Sequence, residues 1–183
     1  MGRREELADA AIAALARDGM RGLTHRAVDR EAGLPEGSTS YYFRTRQALL
    51  QAVVERATEV DTAEMDVASL EDPQAAAATI AGVLEAWVTT GRERQVARFE
   101  LALESTRRPE LRAALVARQE VFRGALHEQF ALMGVDDPAA RAKELVALLN
   151  GLLFDTVVRE ESAADAVAVI RANVPRLIAA VTA

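Results

Sequence analysis

The sequence predicts an all-α protein of about nine helices, a three-helix N-terminal head followed by a larger helical body. Three observations carry that expectation. Half of the residues are hydrophobic while aromatics make up only 4%, and alanine recurs in runs such as Ala75 to Ala78, a composition that suits close-packed helices. Apolar residues recur at helical spacing, with no strand pattern, internal repeat or low-complexity linker between them. Hydroxyl and Asp caps, prolines at first helical positions and glycines past the last turn mark where each helix begins and ends.

The first helix, about Arg3 to Arg17, carries Leu7, Ala11, Ile12 and Leu15 on one face and stops at Gly19. Thr24 caps a second that runs to about Ala32 and is closed by Gly33. Leu34 and Pro35 open a short third helix reaching about Phe43, with Pro35 where a missing N–H is harmless. Thr45 caps a fourth, which continues past residue 60 through Ala48, Leu49, Ala52, Val53 and Arg56. In the body, Asp72 and Pro73 start a helix running to Gly91, and Arg92 to about Ser105 forms the next. Pro109 starts a long one, about Glu110 to Met133, closed by Gly134. Asp137 and Pro138 repeat the cap-plus-proline signal for a segment ending near Val158. Ser162 with Asp165 three residues on resembles a capping box for a last helix to about Val181, which Pro175 should kink or loosen.

A chain of 183 residues is long enough to bury a real core. It has no cysteine, which excludes disulfides and thiolate metal sites and fits a reducing cytoplasm. The N-terminus mixes acidic with apolar residues and does not read as a signal peptide. No apolar run approaches the ~18 to 20 residues of a membrane span. The net charge of −6 taken alone argues against a polyanion partner, but its distribution along the chain weakens that argument. Residues 1–60 hold nine Arg against nine Asp plus Glu, and Arg21 to Arg46 hold five Arg against Asp29, Glu31 and Glu36. The acid excess therefore lies beyond the head.

A helix, a tight turn at Gly33 and a second short helix opening in Gly and Ser is the layout of a helix-turn-helix, which carries its second helix into the DNA major groove. Small Gly37 and Ser38 allow close approach of the backbone. The hydroxyls of Ser38, Thr39 and Ser40 can bond bases or phosphates, and the helix N-terminus offers N–H donors to a phosphate oxygen. Arg26, one turn into the preceding helix, can reach a guanine edge or a phosphate. Adjacent helical residues lie ~100° apart, so one of Tyr41 and Tyr42 should pack while the other faces the DNA backbone; Tyr41 and Phe43 are expected in the core and Tyr42 on the DNA side. His25 is expected to be a solvent-facing neighbour of Thr24, with a phosphate contact as the lesser reading, and Glu36 either a solvated turn residue or an acceptor for a cytosine amino group.

The pattern Thr24-x3-Val28-x3-Ala32-Gly33-Leu34, followed by Gly37-Ser38-Thr39-Ser40-Tyr41-Tyr42-Phe43-Arg44-Thr45-Arg46-Gln47-Ala48-Leu49-Leu50, resembles the N-terminal DNA-binding domain of the TetR family of bacterial transcriptional regulators over about residues 5–55. The resemblance implies a cytoplasmic homodimer with a DNA-binding head, residues 1–46, and an effector-binding and dimerisation body, residues 47–183. It places Thr24 and Arg26 at DNA contacts from the second helix, and Glu36, Gly37 and Ser38 at base-reading positions. Ser40 and Tyr42 fall at backbone contacts and Arg46 at a phosphate contact from the fourth helix. Two positions depart from the pattern. Ser40 stands where the family usually has Tyr, which moves that phosphate contact toward Tyr41 or Tyr42. Asp29 stands where a small residue is expected between two touching helices, and it should face outward or pair with Arg30 or Arg26.

In the body, Trp87, Phe99, Phe122, Phe130 and Phe154 fit either plain core or the lining of a cavity. Arg98, Glu100 and Glu104 sit close to packed residues and fit surface ion pairs or ligand contacts. Trp87, Arg98, Phe99, Glu100 and Phe122 are the candidate ligand-binding set for an unidentified small-molecule effector. Val167, Ile170, Val174, Leu177, Ile178 and Val181 form a stripe that either closes the core or, with the preceding helix, pairs two subunits. His127 beside Glu128 is a weak metal signal, and a di-iron bundle would need Glu where Gly22 and Gly124 stand. No Gly-rich phosphate loop or Ser-His-Asp order is present, so no catalytic activity, cofactor or metal is expected. The expected function is a ligand-responsive regulator, most simply a repressor, on a pseudo-palindromic DNA operator whose recognition helices are spaced by ~34 to 36 Å. The competing reading is a small-molecule-binding or scaffolding bundle whose head no longer reads DNA.

Overall fold

Local signals place most helix boundaries of this computed structural model, which describes residues 2–65, 73–160 and 162–182. The described residues form nine α-helices: α1 (Arg3–Gly22), α2 (His25–Glu31), α3 (Ser38–Tyr42), α4 (Arg46–Glu64), α5 (Pro73–Val88), α6 (Arg92–Ser105), α7 (Pro109–Leu132), α8 (Pro138–Arg159) and α9 (Ala163–Thr182). Gly19 interrupts α1 with a non-helical backbone, as expected. The Thr24, Thr45 and Asp137 side chains accept from the amides of Ala27 at 3.1 Å, Ala48 at 3.0 Å and Ala140 at 3.3 Å. These bonds satisfy N–H groups that a helix start leaves open. Ser162 accepts from the Asp165 amide at 3.1 Å, while its hydroxyl donates to the Asp165 carboxylate at 2.6 Å. Asp72 lies outside the described residues. Helix α5 ends ahead of Gly91, whose amide turns back to the Ala86 carbonyl at 2.8 Å. Helix α9 continues through Pro175, which is exposed.

Packing divides the chain into two units, Met1–Thr62 with Glu93–Val116, and Ala63–Arg92 with Ala117–Ala183. In the first, Leu7, Ala11, Ile12 and Leu15 of α1 are buried with Leu23, Val28, Phe43, Leu49, Val53, Leu101 and Leu111 in one apolar cluster. Full burial of a Leu or Phe side chain contributes about 1.5–3 kcal/mol, so this cluster holds the short helices α2 and α3, which are too short to persist alone. Arg56 ties α4 to α1 through Asp9 at 2.8 and 3.1 Å. Asp61 of α4 is fully buried; it accepts from Arg94 Nε at 2.6 Å and Gln95 Nε2 at 3.1 Å.

In the second unit α9 packs against both α5 and α8. Ile170, Val174, Ile178 and Val181 are buried there, with Val167 and Leu177 half-buried, so the α9 stripe closes the core of its own subunit. Arg171 adds a two-toothed pair to Glu85 of α5, both contacts at 2.8 Å. Trp87 is buried; its indole N–H donates to Glu64 at 2.8 Å, and its ring meets Phe122 edge to face at 6.3 Å. Phe130 is core, but Phe154 is 47% exposed. It sits on a face of α8 with Leu148, Gly151 and Val158, all exposed, while the opposite face carries the buried Leu145, Leu153 and Val157.

Candidate nucleic-acid interface

The turn between α2 and α3 is made by backbone chemistry that the sequence spells out in part. Ala32 ends α2, Gly33 takes φ +64°, and the amides of Gly33 and Leu34 return to the carbonyls of Arg30 at 3.2 Å and Asp29 at 2.9 Å. Pro35 does not open the third helix as expected. Gly37 intervenes at φ +96°, a conformation that carries no penalty for glycine, and α3 is a single turn from Ser38 to Tyr42.

Asp29 corrects the sequence expectation most sharply. Rather than facing outward or pairing with Arg30 or Arg26, it is buried at 1% exposure. Its Oδ2 accepts from the Gly37 amide at 2.8 Å, and its Oδ1 from the Thr39 amide at 2.7 Å and the Thr39 hydroxyl at 2.5 Å. A small residue was expected at this helix contact; here a carboxylate fits because each of its oxygens finds a donor at the start of α3. Two of the amides expected to meet a phosphate are therefore engaged internally, and the Ser38 amide donates to the Pro35 carbonyl at 3.2 Å. Burial pushes the Asp29 carboxyl up, but the hydroxyl and amide of Thr39, the Gly37 amide and the charge of His25 hold it below the usual carboxylate range. The ionised form then stabilises the head in full above its unfolded value of ~3.9, and that contribution is lost as pH falls through the lower, folded value. The gap in thermal midpoint between wild type and Asp29→Asn is expected to stay level above about pH 5 and to shrink below about pH 4. A gap that persists unchanged at lower pH would contradict this sign.

His25 is also not a solvent-facing neighbour of Thr24. It is half-buried, and its Nε2 donates to the Phe43 carbonyl at 2.6 Å. Phe43 is fully buried as expected, with the Arg4 guanidinium 4.8 Å above its ring. Tyr41, expected in the core, is 79% exposed. A one-turn helix has room for one inward position, and Thr39 with Phe43 occupies it. Tyr42 is 37% exposed and meets Tyr41 edge to face at 5.1 Å.

Thr24, Arg26, Gly37, Ser40 and Tyr42 are exposed around α2 and α3, and Ser38 is half-buried with its hydroxyl donating to the Pro35 carbonyl at 2.7 Å. Thr24 accepts from the Ala27 amide, leaving its own O–H to donate outward. Arg26 is exposed and lies 3.7 Å from Glu36, also exposed. Such a surface pair contributes little to stability and leaves both groups at the protein surface. Arg46 is half-buried, with its guanidinium on the carbonyls of Met20 and Leu23, where it closes the end of α1. His25 and Asp29 were not among the sequence-derived site residues. Their i, i+4 spacing on α2 was the available signal.

Of the candidate ligand set, Trp87 and Phe122 meet in the second unit, where the Arg118 guanidinium lies 5.2 Å from the Phe122 ring. Arg98, Phe99 and Glu100 belong to α6 in the first unit, Arg98 buried and stacked 4.6 Å over Phe99. Glu104 pairs with Arg108 at 2.6 Å and Arg107 at 3.1 Å, as an ion-pair residue. A separate cleft of about 280 Å³ in the second unit is lined by Val88, Thr89, Arg92, Thr156, Val157 and Glu160, among others. Among the described residues no group of His, Asp and Glu could hold a metal ion, and no helix is long and apolar enough to cross a membrane.

An all-helical chain whose N-terminal unit presents a capped α2, a glycine turn and an exposed one-turn α3 defines a helix-turn-helix protein. Residues 7–53 match the family model described as bacterial regulatory proteins of the tetR family, and residues 71–180 match that described as the tetracyclin repressor-like C-terminal domain. The chain belongs to the TetR family of bacterial transcriptional regulators. Among solved structures it is similar to a TetR-family member from Streptomyces coelicolor A3, with 30% identity over 97% of this chain and 98% of that one and a TM-score of 0.74. It is also similar to the multidrug binding protein EbrR complexed with imidazole, with 30% identity over 97% and 95% of the two chains and a TM-score of 0.68. A transcriptional regulator from Rhodococcus sp. Rha1 shares the fold at 19% identity, covering 98% and 96%, with a TM-score of 0.81. No curated protein matches the chain.

Proposed function

We propose that this chain is a ligand-responsive repressor that binds a pseudo-palindromic operator as a homodimer. The observation that carries the DNA-reading part is the exposed cluster of Thr24, Arg26, Ser40 and Tyr42 around an α2–α3 turn capped internally by the buried Asp29. Hydroxyl and guanidinium donors at such a turn suit phosphate and base-edge contacts. Dimerisation is supported by the exposed apolar face of α8, Leu148, Phe154 and Val158. With the small exposed Ala168, Ala172 and Ala179 of α9, this face suits a four-helix contact between two copies.

The effector part is supported by the structures of EbrR complexed with imidazole, malachite green and ethidium. In this chain the Trp87–Phe122 pair, with the Glu64 carboxylate at the indole N–H and the Arg118 guanidinium 5.2 Å from the Phe122 ring, suits a flat aromatic ligand. The 280 Å³ cleft is smaller than the ~300–1,000 Å³ of ordinary ligand pockets and is the less suitable site for a dye-sized molecule. A ligand acts as an inducer only if it binds the non-DNA-binding arrangement of the dimer more tightly.

Mobility-shift and footprinting assays on the DNA flanking the chain's own gene test this function. Arg26→Ala and Tyr42→Ala are each expected to weaken operator binding by ~1–3 kcal/mol, roughly 5- to 150-fold. Binding that is indifferent to sequence at moderate salt, or unchanged in both variants, would favour a helical bundle whose head does not read DNA.

A further inference from the structure

Helix α3 is a single turn of five residues. It lacks the length to hold its own shape in water, so its direction in the head depends on what grips its two ends. Both grips come from one face of α2. Asp29 takes the N-terminal end through the Gly37 amide at 2.8 Å, the Thr39 amide at 2.7 Å and the Thr39 hydroxyl at 2.5 Å. His25, one turn earlier on the same face, takes the C-terminal end through the Phe43 carbonyl at 2.6 Å. The Asp29 carboxylate is buried, and so is the Thr39 side chain that meets it. Neither Asp29 nor Thr39 is thus in a position to touch DNA, whereas the residues between the grips, Ser40 and Tyr41, are exposed.

We propose that His25 and Asp29 form a two-point clamp that sets the direction in which α3 is presented, making them positioning residues for sequence recognition, Asp29 from a buried site out of reach of DNA. The inference rests on the DNA-reading function proposed above. Base-edge contacts demand side chains held to within a few tenths of an ångström, because bidentate bonds weaken steeply with misalignment. Phosphate contacts from exposed arginines tolerate more movement and carry no sequence information. Loosening the clamp should therefore cost discrimination between sequences while leaving general DNA affinity intact. Asparagine at 29 keeps the shape but presents an NH2 group to donors, so one grip on α3 becomes a clash of two hydrogens. Valine at 39 removes only the hydroxyl and keeps both backbone bonds.

The test uses the full chain and two duplexes: one selected by the wild-type protein from a pool of randomised duplexes, and a shuffled version of it. Affinity for each is measured by fluorescence anisotropy, with far-ultraviolet circular dichroism reporting helix content. Asp29→Asn is expected to lose roughly 10- to 100-fold on the selected duplex, and Thr39→Val about 3- to 10-fold, both staying within about twofold of wild type on the shuffled one. His25→Gln, whose amide can still donate to the Phe43 carbonyl, should retain the preference, and His25→Leu should lose about 10-fold of it. If Asp29→Asn fails to fold, Thr39→Val and the His25 variants carry the test. Equal preference in wild type and in the folded variants among Asp29→Asn, Thr39→Val and His25→Leu, or a parallel loss on both duplexes, would overturn the clamp. A wild-type chain that selects no sequence at all would instead remove the DNA-reading function on which the clamp rests.

Discussion

Replacing Phe43 with alanine is expected to destabilise the head by about 3–5 kcal/mol, the range for removing a fully buried aromatic ring. The site has little freedom to collapse. The ring has no exposed surface, sits under the Arg4 guanidinium and packs in the cluster built by Leu7, Leu15, Leu49 and Val53. Its backbone is tied as well, the amide donating to the Thr39 carbonyl at 2.8 Å and the carbonyl accepting from His25. Set against a total domain stability of about 5–15 kcal/mol, the loss takes α3 off the head while the second unit keeps its own core. Hydrogen exchange should therefore show amides of α1 to α4 losing protection while those of α5 and α9 retain it. The neighbouring ring supplies the contrast: Tyr41 is largely exposed, and Tyr41→Ala should change stability by less than about 0.5 kcal/mol. Equal effects of the two substitutions would contradict the burial pattern.

The other large effect concerns assembly. Phe154→Glu combined with Val158→Glu is expected to convert the proposed dimer to a monomer in sedimentation analysis, with helix content unchanged, because both side chains already face solvent within the subunit. Carboxylates brought to an apolar contact between two copies would be desolvated without partners. Operator affinity should then fall by roughly 100- to 10,000-fold, the avidity lost when two linked half-site contacts become independent. Glutamate at the buried Ile170 or Val174 would instead unfold the second unit, since these α9 residues pack inside it. A doubly substituted chain that remains a dimer would place the subunit contact on another surface.

Helix limits were largely legible because the interactions that set them span three or four residues. Thr24, Thr45, Asp137 and Ser162 each cap a helix through an amide three positions on, and Gly33 and Gly134 take positive φ where a helix ends. The early start expected at Pro35 was not found, because proline tolerates the first helical position without requiring it, whereas Gly37 at φ +96° imposes a break. The recognisable order of turn, hydroxyls and aromatic pair likewise lies within one short stretch, which is why the family could be read from it.

The side-chain assignments within that stretch were another matter. Asp29 was expected outside and Tyr41 inside, and the structure has each in the other place. Asp29 answers to donors eight and ten residues away, His25 to a carbonyl 18 residues on, and Arg46 to carbonyls 23 and 26 residues back. Hydropathy scores a residue by its own polarity and cannot register that a carboxylate has three donors waiting at the start of another helix.

What the sequence determined by itself was the all-helical class, the order of its elements and the family to which it belongs, since capping, glycine conformation and apolar spacing act over one helical turn. Which face of α2 grips α3, which tyrosine meets solvent and which face of α8 is left uncovered were decided by the tertiary structure alone. Those outcomes follow from burial and hydrogen-bond satisfaction, and both quantities exist only once segments distant along the chain have come together.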